Sequence, residues 1–283
     1  MKLPQELFDV IIDNLDNYPW ALPNSSLVCH SWLHPSRRCL FRRIVLLPPP
    51  KHAFRGSAHV SHCQRLHWLL LDSPHIATYI RELKIYEGQM EKHQAWIASD
   101  PTLPPVLGLL RDLTKLEIRR LIWKVLPNYL RQSICHVLEL PSLTSFEIEH
   151  ADFGSIDDFA GLLSHAEGLT CLTLTEITVR RQSLAQEDMK HGTVEKEGVR
   201  SNHGRRRLLD LRLNSTGYFG IGYPELVDWL LGPQSSLELS HIRTLHILHY
   251  GRSDALPVNK LLYAIGSSLR HFKLNDPGDV RSL

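Results

Sequence analysis

Leu113-Thr114-Lys115-Leu116-Glu117-Ile118 returns thirty residues later as Leu143-Thr144-Ser145-Phe146-Glu147-Ile148. In both strings an apolar residue opens, two polar residues follow, and then apolar and polar positions alternate. Alternation with a period of two is what a strand needs when one face is buried and the other is wet. Outward from this pair the pattern recurs as Ile80-Leu83-Ile85 on one side and as Leu169-Leu172-Leu174, Leu208-Leu211-Leu213, Ile242-Leu245-Ile247 and Leu269-Phe272-Leu274 on the other. The starts lie 33, 30, 26, 39, 34 and 27 residues apart. One match would carry no weight, but seven at such intervals define a repeat.

Helical patterns fill the gaps. Phe159, Leu162, Leu163 and Ala166 recur at i, i+3, i+4 and i+7 across Asp157 to His165, and Val258, Leu261, Leu262 and Ile265 do so after Pro257, with Gly266 as a stop. Leu126, Leu130, Ile134 and Val137 form another such face, as do Leu226, Trp229 and Leu230. Strand, helix, strand at this period predicts an α/β repeat, a leucine-rich-repeat-like solenoid with a curved parallel sheet and outer helices. Residues 44–47 predict a capping strand ended by Pro48–Pro50, and Val60 to Leu71 the first outer helix. The last string, at Leu269, has no helical pattern after it to cover its edge.

Two local clusters invite a functional reading. His59, His62, Cys63 and His67 crowd the first outer helix, but Cys63, Leu66 and Leu70 make its apolar face and no zinc spacing is completed elsewhere. No metal and no cofactor are expected. Residues 180–206 are polar, of mixed charge and without period, and predict a mobile surface loop. Arg205–Arg207 at its end read as a solvated charge run, with a nuclear address or a phosphate contact as alternatives.

Composition sets the outer bounds. The 283 residues are 43% hydrophobic and 22% charged, with a formal net charge of +2, so there is ample core material and no concentrated basic face for nucleic acid. No apolar run approaches membrane-spanning length, and the opening residues lack a signal-peptide core. The five cysteines are scattered and lack C-x-x-C spacing. They predict free thiols in a reducing compartment, cytoplasmic or nuclear.

The N-terminal segment has a different character. Pro4, Gln5 and Glu6 look like a helix start, with an acid placed to meet the helix dipole, and Leu7, Ile11 and Leu15 then recur every four residues. A second helix is expected from Asn24 to Trp32 and a third from Pro35 to Phe41. Three such short helices cannot bury all their apolar faces against one another. The strings L-P-x-E-L at 3–7, L-V-C-x-x-W at 27–32 and R-x-L-F at 38–41 resemble the F-box, over residues 3 to about 45. The resemblance implies an N-terminal three-helix F-box in residues 1–45 and a repeat domain in residues 46–283. It further implies docking on the Skp adaptor, and through it on the cullin of a ubiquitin ligase, by Leu3, Pro4, Leu7, Ile11, Leu27, Val28, Cys29 and Trp32. The connection from Asn14 to Pro23 is longer than the family's pattern. The plainer alternative is a helical cap on the repeats.

Strand alternation also predicts which side chains face a partner. One column runs Lys84, Glu117, Glu147, Thr173, Arg212, His246 and Lys273, and the other Tyr86, Arg119, Glu149, Thr175, Asn214, Leu248 and Asn275. The acids cluster centrally, which fits either a target protein with a basic patch or plain solubility. No nucleophile elbow, phosphate loop or H-E-x-x-H is present. The expectation is a non-catalytic substrate-recognition subunit, against a protein-binding scaffold with no ligase role. The two differ in whether the first helical face is exposed or buried.

Overall fold

A computed structural model describes residues 4–15, 18–49, 60–88, 96–179, 206–214, 223–248 and 255–275. Leu3, His59, Arg205 and nearly all of the expected 180–206 loop lie outside the described residues. The chain is α/β and divides into two compact units, with four long parallel strands in each.

The first unit begins with a small helical module. Helix α1 (Gln5–Asp13) starts after Pro4, which is extended at the N-cap, and carries Glu6 in its first turn. Helix α2 is only Leu22–Ser25, with Pro23 in its first turn. The chain then leaves helical geometry, and Cys29 (φ −164°, ψ 169°) caps α3, which runs from His30 to Arg42. The helix expected over Asn24–Trp32 is therefore broken at its middle, and the third starts earlier than expected. Pro35 fails to stop α3 for a specific reason. It cannot donate to the carbonyl of Ser31, and the side-chain amide of Gln5 donates to that oxygen at 2.8 Å. Ile12, Leu22 and Cys39 are buried between the helices, with Leu15, Trp32 and Leu40 packed on them. Arg38 joins Asp13 at 2.9 Å across α1 and α3.

Strand β1 (Arg43–Leu46) follows α3 directly. Helix α4 (His62–Asp72) is capped by the Ser61 hydroxyl, which accepts from Gln64 N–H, and buries Cys63, Leu66 and Leu70 as its spacing predicts. After β2 (Glu82–Tyr86) come two short helices the spacing did not announce, α5 (Trp96–Ser99) and α6 (Leu103–Leu109). Strand β3 (Lys115–Arg119), helix α7 (Asn128–Leu138) and strand β4 (Ser145–Glu149) complete the series. The order β1-β2-β3-β4 is parallel and in register, Lys84 opposite Glu117 and Glu117 opposite Glu147. Leu83, Ile85, Leu116, Ile118, Phe146 and Ile148 are buried, so the alternation holds in β2, β3 and β4.

The second unit holds a short β5 (Asp152–Phe153), α8 (Ile156–Ser164), β6 (Cys171–Thr175), β7 (Thr178–Val179) and β8 (Arg206–Arg207). Next come β9 (Asp210–Asn214), α9 (Tyr223–Leu231), β10 (Leu237–Glu238), β11 (Thr244–Leu248), α10 (Ala255–Ile265) and β12 (His271–Asn275). Its main order is β6-β9-β11-β12, again parallel. Phe153, Phe159 and Trp229 form an aromatic row, with ring centroids 5.1 and 5.0 Å apart. Arg206 opens a paired strand rather than closing a loop, and its guanidinium caps the end of α8 through the carbonyls of Leu163 and Ser164.

The repeat is visible in the backbone itself. At the entries of β3, β4 and β12 two successive N–H groups share the carbonyl just before the neighbouring strand. Thr114 and Lys115 share Arg81 O, Thr144 and Ser145 share Thr114 O, and Arg270 and His271 share Arg243 O. At the exits Arg120, His150 and Glu176 take the left-handed region, φ 60°, 53° and 50°. These residues each donate N–H to the last carbonyl of the next strand, at 2.7, 2.8 and 2.8 Å. After β2 the left-handed turn falls instead on Gly88, φ 89°, where a Cβ would meet Pro48 at 2.7 Å.

Candidate docking surfaces

The N-terminal module separates its apolar residues into two sets. Phe8 and Ile12 of α1 turn toward α3, where Phe8 and Trp32 lie 6.3 Å apart between ring centroids, and Leu15 just after the helix packs on the same core. Leu7, Val10 and Ile11, at i, i+3 and i+4, face outward with 48%, 58% and 43% of their surface exposed. Leu27 and Val28, in the link between α2 and α3, are more open still, at 83% and 63%. Pro4 and Cys29 are exposed at the starts of α1 and α3. Trp32 is placed differently from its fellows, half-buried against the module's own core. Val10 belongs to the outward stripe on its spacing, although the motif strings do not include it. Tyr18 and Trp20 are exposed on the long connection, edge to face at 6.2 Å.

The outward columns of the first unit form an ion-pair lattice. Glu117 takes Lys84 Nζ at 2.6 Å and Arg119 Nε at 2.6 Å; Arg119 also meets Glu149 at 2.7 Å, and Lys115 meets Glu147 at 2.8 Å. Burial alone would raise the Glu117 carboxyl, but hydrogen bonds from Lys84 and Arg119 hold it below its ordinary value. Lys115 is held above its ordinary value, its partial burial outweighed by Glu147. The guanidinium of Arg120 sits 5.7 Å over the Tyr86 ring. The central acids are thus already neutralised by cations of the same face. This weighs against a basic patch on a partner as their reason for being there.

In the second unit Arg212 is exposed and meets Asp210 at 3.3 Å. Asn214, His246 and Leu248 are half-buried at the outward positions of β9 and β11. Phe272 and Leu274 on β12 are 44% and 42% exposed, unlike their counterparts in the other strands.

The buried thiol of Cys63 and the half-buried thiol of Cys135 have little nucleophilic character. Burial pushes Cys63 up to about 12 and Cys135 up to about 11. Among the described residues no helix is long and apolar enough to cross a membrane. No protein-family model matches the chain, and no curated protein does either.

Proposed function

We propose that the chain is a substrate-recognition adaptor, an F-box-like protein whose N-terminal helices dock a Skp-type adaptor of a ubiquitin ligase and whose outward strand face holds a target protein. The observation that carries this reading is the division of apolar residues in the module. Ile12, Leu22 and Cys39 already give it a core, so Leu7, Val10, Ile11, Leu27 and Val28 are surplus to its own packing. Such side chains stabilise by roughly 1.5–3 kcal/mol each when fully buried, and several together give the gross drive for an interface, less the cost of association. A cap serving only the repeats has no use for an exposed stripe.

In this role the chain performs no bond chemistry. It raises the local concentration of the target beside a charged ubiquitin carrier. Co-expression with a Skp-type adaptor followed by size exclusion tests the reading. A stoichiometric complex that disappears in Leu7→Ala/Ile11→Ala supports it. A folded chain that elutes without the adaptor leaves a protein-binding scaffold.

A further inference from the structure

Two grooves open at strand-entry edges, one in each unit, and arginines occupy the same repeat position in both. The first, of about 610 Å³, is lined by Arg38, Arg42 and Arg81 together with Asp13. Every one of these arginines has a carboxylate at hand: Asp13 at 2.9 Å, Glu82 at 3.9 Å and Asp112 at 3.7 Å. The second, of about 420 Å³, is lined by Arg207, His241, Arg243, Arg270, Ser267 and Ser268. Glu238 stands 4.0 Å from Arg207 and 3.5 Å from His241. Among the described residues no carboxylate lies within ion-pair distance of Arg243 or Arg270.

We propose that this second groove binds a phosphoryl dianion. Thr244 pairs with His271, so Arg243 and Arg270 hold matching places on neighbouring strands, roughly 4.8 Å apart along the backbone. Their backbones are clamped, Arg270 N–H donating to Arg243 O at 2.8 Å. Like charges at matching cross-strand places repel, and a dianion seated between them removes that repulsion. Two guanidinium forks suit the several oxygens of a phosphoryl group, each able to donate to two of them. The Ser268 hydroxyl donates to Ile242 O at 2.8 Å and Ile265 O at 3.0 Å, which fixes the turn after α10, where Ser267 and Ser268 line the groove. Among the described residues no aromatic side chain lines the groove except His241, so they offer little platform for stacking bases. The phosphoryl group itself is the recognised unit, either as free phosphate or carried on a protein segment.

This site does not depend on the docking role of the N-terminal helices, and its test reads anion binding alone. The full chain is titrated calorimetrically, at constant ionic strength in phosphate-free buffer. The probes are inorganic phosphate, pyrophosphate, and a short peptide with one phosphoserine beside its unphosphorylated twin. Binding should weaken about tenfold or more in Arg243→Ala/Arg270→Ala and by less in Arg243→Lys/Arg270→Lys, and persist in Arg42→Ala. A preference for the phosphopeptide over its twin assigns a protein-borne phosphoryl group, and binding of the inorganic anions alone assigns a free one. Equal binding by wild type and the double alanine variant, or no binding of any phosphate probe by a chain of native circular dichroism, overturns the proposal.

Discussion

The side-chain amide of Gln5 donates at 2.8 Å to the carbonyl of Ser31, the acceptor that Pro35 leaves without its helical partner. One hydrogen bond thus satisfies an orphaned carbonyl and fastens α1 to α3. A proline in a helix interior ordinarily costs ~3 kcal/mol, and here part of that cost is offset from outside the helix. Gln5→Ala should lower stability by about 1 kcal/mol. In a Pro35→Ala background the restored N–H can reach Ser31, and the same change should cost close to nothing. A double-mutant cycle by urea unfolding measures this, and equal costs in both backgrounds contradict it.

Glu117 lies between Lys84 and Arg119 on the outward face of the sheet, with its side chain only 12% exposed. Its carboxyl is held low by those two cations in the folded state, so the stability it adds is full above the unfolded carboxylate range and is lost as pH falls through the folded value. Glu117→Gln should cost about 1–2 kcal/mol at pH 7. It should also flatten the acid limb of the stability profile, measured by denaturant midpoints from pH 3 to 6.

Glu87 has the opposite sign. It is buried just after β2, one oxygen accepting from Ile97 N–H at 3.2 Å while Oε1 has no hydrogen-bond partner among the described residues. Burial pushes its carboxyl from 4.5 up to about 7, against the pull of the Ile97 and Trp96 backbone. The folded state then holds the proton more tightly than the unfolded state, so stability falls as pH rises from 4.5 to 7 and stays low above. Glu87→Gln should remove that decline, on the order of 3 kcal/mol. Thermal midpoints of the two proteins at pH 5 and pH 8 show it directly, and parallel profiles count against the assignment.

Phe153 packs between Trp123, 5.8 Å away, and Phe159, in a row that ends at Trp229. Phe153→Ala leaves a large void among rings that cannot collapse into it, and should cost about 3–5 kcal/mol. Tyr263→Ser, at a position 95% exposed, should change stability by less than about 0.5 kcal/mol. Chemical denaturation of both variants gives the comparison.

The strands were the most legible part of the chain because each string carries its own alternation. Leu116 and Ile118 declare a buried face without reference to anything distant. The helices flanked by long apolar faces, such as α4 and α7, were legible for the same reason. What escaped was structure decided by partners far along the chain. Pro35 reads as a helix start unless Gln5 is known to lie beside Ser31. The pairs β5–β7 and β8–β10 are two residues long and have no period to show. On the candidate surfaces, alternation placed Lys84, Glu117 and Arg119 on one face, but their mutual neutralisation depends on cross-strand register. Trp32 illustrates the same limit, since motif position gave it an outward role and packing on Phe8 gave it an inward one. The paired arginines of the second groove carry a sequence signal: in Ile242-Arg243 and Leu269-Arg270, as in Ile80-Arg81 of the first groove, arginine follows the first apolar residue of the string.

Calorimetric titration of a purified Skp-type adaptor into the full chain, beside Leu7→Asp/Ile11→Asp, tests the central claim most directly. The two positions are roughly half exposed, so the variant should keep its fold while placing two charges in the interface. Tight one-to-one binding by the wild type and an affinity at least about a hundredfold weaker in the variant is the predicted result, a loss of ~2.7 kcal/mol. Equal affinity in the two proteins, or no binding by a wild-type chain of native stability, contradicts the adaptor reading.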